Sequence, residues 1–162
     1  MRVLHEPDPG AGADAGGGQR TSWNERAPRH DGASARVLAT AVERPASALA
    51  HAKGLRFRRE LPEDYAFVMD VGRASSLPLL GGPRWTVVDM LFVHVPLDVL
   101  WLVDGEVVGT KRLRPWTGVG AGKADTIVEL PAGAASDVTA GDTVRVVEAG
   151  DDGAPGDTGA GS

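Results

Sequence analysis

The sequence predicts one small α+β domain with a mostly antiparallel or mixed, barrel-like β-sheet of about seven strands and one or two short helices. Two observations support this fold class. Short runs rich in β-branched and aromatic residues follow one another, separated by turns of glycine, proline and aspartate. Helix-favouring stretches are few and short, so strand follows strand along most of the chain.

The domain is predicted over residues 36–148, between a disordered tail at residues 1–35 and a disordered acidic tail at residues 149–162. Both tails are rich in glycine, alanine and aspartate and contain few residues that could form a core. Such segments bury too little apolar surface to offset the backbone entropy of ordering, about 1–2 kcal/mol per residue. The 162 residues therefore have room for one domain.

The strand signals are apolar runs of strand length bounded by turn residues. In chain order they cover residues 36–43, 65–71, 84–95, 97–103, 106–113, 124–130 and 143–148. The run 97–103 is almost entirely apolar, which predicts a strand buried on both faces. Asp104-Gly105 separates two apolar runs and predicts a tight hairpin.

The helix signals are weaker and local. Pro45 and Gly54 flank residues 46–53, and these two residue types are typical of the first turn and the end of a helix. Residues 134–138 could form a further helical turn. Residues 115–123 are predicted to form a glycine-rich loop that carries Trp116.

Composition excludes several classes of function. The absence of cysteine excludes disulfides and thiolate metal sites. Charged residues and a proline interrupt the longest apolar stretch, 87–103, so no membrane span is predicted. The net charge is −5, with 14 acidic and 12 basic residues between Val37 and Glu148, and this balance gives no reason to expect nucleic acid. We expect a cytoplasmic protein, as a monomer or weak dimer.

Six short motifs lie in a fixed order between Ala50 and Val147, in segments 54–58, 61–64, 89–98, 104–108, 128–133 and 141–144. Together they resemble the uncharacterised DUF192 family. The corresponding family motifs are G-L-M-F-R, L-P-x-D, W-M-K-N-T-x-I-P-L-D, a strand with a D-G hairpin, L-E-L-P-A-G and G-D-x-V. The resemblance implies a compact α+β fold on a mixed, barrel-like sheet and implies no activity.

The sequence departs from the family pattern at its most polar segment. Asp89, Leu91 and Phe92 stand where the family has Trp, Lys and Asn, and Arg56 replaces the methionine of G-L-M. If the polar segment forms a binding site in relatives, this chain lacks its usual groups.

Arg112, Arg114 and Trp116 form the preferred ligand-binding candidate. Strand alternation places the two arginines on one face, and Trp116 begins the glycine-rich loop after them. A tryptophan beside arginines could form the rim of a site for an anionic or cyclic ligand. The alternative is that Trp116 covers an edge of the core.

Asp89, Asp98 and His94 form the alternative candidate, a cleft of a hydrolase-type enzyme. Asp98 could instead accept hydrogen bonds from backbone N–H groups where the strand is interrupted. His94 lies between apolar neighbours and could simply be packed. On a continuous strand, Asp89 and His94 would point to opposite faces, which argues against a direct pair.

The remaining patterns give no cofactor or metal prediction. The domain contains two histidines, His51 and His94, without metal-ligand spacing, and no nucleophile-elbow pattern. Residues 118–123 resemble a phosphate loop but lack its spacing. The basic run 56–59 is interpreted as a solvated loop or as ion pairs with Glu60, Glu63 and Asp64, or else as an anion or RNA contact. We therefore predict a non-catalytic binding or accessory module for a small ligand or protein partner, with the hydrolase as the alternative.

Overall fold

A computed structural model describes residues 1–9, 35–45, 55–72 and 82–148, and all regular structure in these residues is β-strand. The ten strands are β1 (Arg2–Glu6), β2 (Arg36–Ala39), β3 (Ala41–Glu43), β4 (Tyr65–Asp70), β5 (Arg84–Asp89), β6 (Leu97–Val103), β7 (Glu106–Leu113), β8 (Val119–Ala124), β9 (Thr126–Pro131) and β10 (Thr143–Val147). Eight form one sheet in the order β2-β1-β10-β7-β6-β9-β4-β3, and β5 pairs with β8 in a separate ribbon.

The sheet is mixed, as predicted, because β3 and β4 are parallel whereas the other pairs are antiparallel. It is not a closed barrel, since β2 and β3 stand at opposite ends of the strand order and do not pair. The prediction of about seven strands is too low. The run 36–43 divides at Thr40 into two strands, and residues 2–6 and 119–124 are strands that the sequence did not indicate.

The predicted helices do not appear in the described part of the chain. Residues 134–138 form successive turns, with hydrogen bonds from Ser136 N to Gly133 O and from Val138 N to Ala135 O. These bonds span three residues, so no α-helical turn is completed. The predicted helix at 46–53 lies outside the described residues. No helix in the described ranges is long and apolar enough to cross a membrane.

The centre of the sheet confirms two sequence predictions. β6 is buried along almost its whole length between β7 and β9. The following hairpin places Asp104 at φ 52° and Gly105 at φ 85°, as a two-residue turn with left-handed residues requires. Strand pairing resumes at once, with Val103 opposite Glu106.

The sheet buries a core on each face. One face packs the first strand and β10 against the centre through residues such as Val3, Leu100 and Val144. The other face, which includes Phe67 and Val99, is covered by side chains of the ribbon and of the turn after β5: Val88, Met90, Val93 and Ala124. The layer between sheet and ribbon is where the candidate site lies.

β8 was predicted as part of a loop because of its glycines, and this prediction is wrong. A Cβ atom on Gly122 would lie 2.6 Å from Trp101 Cγ, and one on Gly120 would lie 2.5 Å from Trp101 Cη2. The glycines therefore let the ribbon backbone lie directly on the indole ring. Glycine in a sequence can therefore indicate either a loop or a strand whose backbone lies very close to another group.

The first residues of the chain belong to the sheet. β1 lies between β10 and β2, and Val3 and His5 are buried. Residues 2–6 therefore form a strand, although they lie within the disordered tail predicted at residues 1–35. The prediction followed the composition of the longer glycine-rich segment that comes after this short strand. Residues 10–34 and 149–162 lie outside the described residues.

Candidate functional site

Three large aromatic residues occupy backbone conformations that side chains disfavour. Phe57, Phe92 and Trp116 have φ angles of 70°, 65° and 65°. A left-handed backbone costs a residue with a Cβ atom about 1–2 kcal/mol relative to the right-handed form. Each of the three lies in a tight turn, and Trp116 is the central residue of a turn closed by Thr117 N and Pro115 O at 2.7 Å.

The three turns are joined to one another by backbone hydrogen bonds. Phe57 N donates to Phe92 O at 2.8 Å, and Trp116 N donates to Val93 O at 3.2 Å. These bonds fix the relative positions of segments that are far apart in the sequence. They also explain how the unfavourable backbone angles persist.

The rings of these turns contact one another. Phe57 stacks on Phe92 with centroids 5.3 Å apart and planes inclined by 22°. Trp116 meets Phe92 edge-on at 5.9 Å and meets His94 edge-on at 4.7 Å. We call Phe57, Phe92, His94 and Trp116 the aromatic cluster. Phe57 is 64% exposed and Trp116 is 48% exposed, so much of the cluster faces solvent.

A cavity of about 150 Å³ lies between the sheet and the ribbon. Its walls are mostly apolar, with Arg56, Asp89 and Glu129 as the charged groups. The turn that presents Phe57 also supplies Leu55 and Arg56 to the cavity wall. The turn of Phe92 likewise supplies Val93, so the cluster and the cavity are built on shared turns.

Glu129 is a buried carboxyl group within this cavity. It lies on β9 opposite Phe67 of β4 and Val99 of β6, and it is 6% exposed. No described residue forms a hydrogen bond or ion pair with it. Burial, together with the negative charge of Asp89, raises the pKa of Glu129 to about 7.

Asp89 holds Arg56 at the cavity wall. An Arg56 terminal nitrogen donates to Asp89 Oδ1 at 3.2 Å and to Oδ2 at 3.0 Å. Leu91 N also donates to Asp89 Oδ1, at 3.0 Å. Arg56, which is next to Phe57 in the sequence, is thus paired with Asp89 and not with Glu129.

Asp98 accepts hydrogen bonds from backbone N–H groups, which is the structural role that the sequence offered as the alternative to catalysis. It is buried, and its Oδ2 accepts hydrogen bonds from Gly133 N at 2.7 Å and Ala135 N at 3.2 Å. Arg112 Nε donates to Oδ1 at 2.7 Å. Burial alone would raise the pKa of Asp98, but the hydrogen bonds from Arg112 and the two backbone N–H groups outweigh it and lower the pKa.

Asp89, Asp98 and His94 each contact other residues. In the described ranges, no hydrogen bond or ion pair joins any two of the three. β5 ends at Asp89 and a turn follows, so the strand parity used for Asp89 and His94 does not apply. His94 packs on Trp116, and its buried Nδ1 has no hydrogen-bond partner.

The other predicted site residues are divided between two environments. Arg112 forms an ion pair with Asp98, whereas Trp116 is part of the aromatic cluster. Arg114 is exposed, and its side chain pairs with no described residue. In the basic run 56–59, Arg56 pairs with Asp89 and Arg58 pairs with Glu43. These arginines therefore form ion pairs, but not with the predicted partners Glu60, Glu63 and Asp64.

Sequence reasoning missed Glu129, Phe57 and Phe92 as site residues. Glu129 carried an available signal, since it is a lone acid within an otherwise apolar strand. The two phenylalanines gave no comparable signal, because a left-handed backbone at an aromatic residue is not visible in the sequence.

The fold and site define a small domain with an open mixed sheet, a covering ribbon, a surface aromatic cluster and a cavity with a buried carboxyl group. The chain belongs to the DUF192 family, described as an uncharacterized ACR, whose profile matches residues 30–146. No protein with curated annotation matches the sequence.

Two solved structures share the fold. One is a proposed transcription regulator from Sinorhizobium meliloti 1021, with a TM-score of 0.62 at 17% identity, covering 89% of this chain and 92% of that one. The other is a protein of unknown function from Novosphingobium aromaticivorans DSM 12444, with a TM-score of 0.61 at 18% identity, covering 90% and 84%. At these identities the likeness shows the fold alone.

Proposed function

We propose that this DUF192 domain is a non-catalytic binding module whose aromatic cluster holds a small, ring-containing, anionic ligand. The observation that carries the proposal is the left-handed backbone of Phe57, Phe92 and Trp116. Strain of this kind persists where surrounding structure over-determines it, and it concentrates at functional sites. Glycine at the same three positions would fold with less strain, so the aromatic rings have a use that offsets their cost.

The exposed ring faces suit a flat or cyclic partner. Stacking of a ring on an aromatic side chain is worth about 1–3 kcal/mol in sites that use it. Arg114 supports the preference for an anion, because it precedes Trp116 by two residues and is unpaired among the described residues. Arg112, which the sequence also suggested, is taken by Asp98 and contributes less to this proposal.

The hydrolase-type alternative with Asp89, Asp98 and His94 gains no support from the geometry. Asp98 is occupied by Arg112 and by two backbone N–H groups. A general acid or base must reach a proton of the substrate. A carboxylate with these contacts has little capacity left for that role.

NMR titration can test the proposal through the indole N–H resonances of the tryptophans. The probes are adenosine monophosphate and glucose 6-phosphate, each compared with its unphosphorylated form. We expect the Trp116 resonance, identified with Trp116→Phe, to shift most with a phosphorylated probe. Trp85→Phe is the matched control, because Trp85 is 77% exposed and lies on the ribbon, outside the cluster.

Phe92→Gly separates ligand binding from folding. It removes the ring that contacts both Phe57 and Trp116 but relieves the left-handed backbone. Relief of strain, about 1 kcal/mol, offsets only part of the lost ring contacts and of the lost burial of a side chain that is 39% exposed, so we expect stability to fall by about 1–2 kcal/mol. Probe affinity should fall about tenfold or more.

Asp104→Gly is the control for relieving backbone strain elsewhere, since Asp104 has φ 52° in the hairpin. It should leave probe binding unchanged. Equal binding by wild type and Phe92→Gly, or probe shifts confined to other tryptophans, would contradict the proposal.

A further inference from the structure

We infer that the cavity is a second binding site, which takes the ammonium, amidinium or guanidinium head of a small organic ligand with Glu129 as its counter-ion. This site is distinct from the aromatic cluster and goes beyond the proposed function. The inference rests on the position of Glu129, on its lack of a partner and on the charges around it.

The position of Glu129 directs its side chain toward the cavity. Residues directly opposite on antiparallel strands project from the same face of the sheet. Glu129 is opposite Phe67 and Val99, which belong to the core between sheet and ribbon. The carboxyl group therefore enters the layer that contains the cavity, and it is one of the residues that line it.

The other buried acids of the domain show what a structural carboxylate looks like here. Asp98 has Arg112 and two backbone N–H donors. Asp142 accepts hydrogen bonds from Asp8 N at 2.9 Å and Thr139 N at 2.8 Å, and it contacts His5 Nε2 at 2.8 Å. Glu129 alone among the buried acids of the described chain has no such donor. Burial without a protein donor disfavours the ionised form of Glu129, and a cationic ligand in the cavity would offset that cost.

The surrounding charges select a positive ligand. Asp89 adds a second carboxylate to the cavity, and Arg56 is bound to Asp89, which leaves the charge of Glu129 uncompensated. Because Arg56 neutralises Asp89, the ionised Glu129 leaves the cavity with a net negative charge, which favours a cation over an anion. The described residues contain no group of three potential ligands for a metal ion, so an organic cation, which brings its own N–H donors, suits the site better.

The size and lining of the cavity limit the rest of the ligand. The cavity has a volume of about 150 Å³ and is partly open to solvent, so it has room for a group about the size of a benzene ring. The ligand should therefore have roughly six to ten non-hydrogen atoms inside the cavity. Its body should be apolar, because Phe67, Val88, Leu97 and Ile127 form much of the wall.

Calorimetric titration with matched probes tests the inference. Benzylamine and guanidinium are the cationic probes, benzyl alcohol is the neutral isostere, and benzoate is the anion. At pH 8, we expect benzylamine to bind at least about tenfold more tightly than benzyl alcohol and benzoate not to bind. Glu129→Gln should abolish the preference for benzylamine, whereas Glu106→Gln, which removes an exposed strand charge, should preserve it.

The pH dependence provides a second readout. The titratable and charged groups that face Glu129 are Asp89, Arg56 and Tyr65. The pKa of Glu129, about 7, lies between pH 6 and pH 8, so Glu129 changes its charge over this interval. Benzylamine affinity should fall about tenfold from pH 8 to pH 6 in the wild type and stay constant in Glu129→Gln.

Three outcomes would overturn the inference. They are binding of benzyl alcohol as tight as that of benzylamine, unaltered benzylamine binding in Glu129→Gln, and failure of both cations to bind at millimolar concentration. Phe92→Gly keeps this result separate from the proposed function. It should retain benzylamine binding while it loses the probes of the aromatic cluster.

Discussion

Glu129 and Asp98 are carboxyl groups buried in the same sheet, and their surroundings move their pKa values in opposite directions. Glu129 lacks a donor, so burial raises its pKa to about 7. Asp98 receives hydrogen bonds from Arg112 and from backbone N–H groups, and its pKa is lowered. Burial is common to both residues, and the difference arises from the donors that each one meets.

Glu129 should make the domain less stable as the pH rises. Its folded pKa of about 7 exceeds the ordinary value of 4.5, so the folded state binds more protons between these values and stability falls across that window. The total loss is about 3 kcal/mol. Glu129→Gln should remove this dependence and be more stable than wild type above pH 7, as measured by urea unfolding at pH 5, 6, 7 and 8. A wild type with constant stability across this range would contradict the expectation.

Asp98 should stabilise the domain at neutral pH. Asp98→Ala leaves the N–H groups of Gly133 and Ala135 without their acceptor, and we expect a loss of about 2–4 kcal/mol. Because the folded pKa is lowered, the contribution is present above the pKa of the unfolded aspartate and disappears as the pH falls through the folded value. Asp137→Ala is the control, since its ion pair with Arg36 is exposed and should contribute about 0–1 kcal/mol.

At the scale of elements, the backbone of the β5–β8 ribbon packs directly on the indole ring of Trp101, because the glycines of β8 have no side chain to hold it away. Gly122 lies against the indole ring, and the ribbon in turn covers the core that contains the cavity. The same ribbon ends at Asp89, which holds Arg56. Packing of the ribbon thus positions one charged wall of the cavity.

Gly122→Ala should displace the ribbon. The added Cβ atom would lie 2.6 Å from Trp101 Cγ, and overpacking of this kind costs about 1–3 kcal/mol. Thermal unfolding and the near-ultraviolet circular dichroism of Trp101 should both change. Ala121→Ser, at an exposed position of the same strand, should leave them unchanged. A Gly122→Ala variant as stable as Ala121→Ser would show that the ribbon adjusts without strain.

At the scale of the whole molecule, the first residues of the chain complete the sheet. β1 pairs with both β10 and β2, and His5 contacts the buried Asp142. Residues 2–6 and the last strand of the described residues, β10, are therefore neighbours. Contacts between residues this far apart in sequence are closed only when the domain folds as a unit.

Deletion of residues 1–9 should destabilise the whole domain, because it exposes the edge of β10 and removes His5 and the Asp8 N–H from Asp142. Val3→Ala is the milder test. Val3 is fully buried, so the change should cost about 1–3 kcal/mol, and Leu4→Ala, at a half-buried position, should cost less. Chemical denaturation measures all three variants. Unchanged stability of the deletion would show that β1 is dispensable.

Much of the fold could be predicted from the sequence, because those features depend on local patterns. Each of the seven apolar runs contains a strand, although the run 84–95 is strand only as far as Asp89. The all-apolar run 97–103 is the central β6, and Asp104-Gly105 forms the hairpin. The family likeness likewise rests on ordered short motifs, and the profile match confirms it. Residues 119–124 show the limit of such patterns, since glycine at a close approach and glycine in a loop look the same in sequence.

The sequence by itself determined the β-rich class, the central hairpin and the family, because side-chain alternation and turn chemistry act between near neighbours. The tertiary structure decided the site. In the folded domain Arg112 pairs with Asp98, and Glu129 has no hydrogen-bond donor among the described residues. Phe57 and Phe92 stack on each other although their turns are far apart in the sequence. These outcomes depend on which residues meet across the sheet, and pairing between distant strands is fixed by packing of the whole domain rather than by any local pattern.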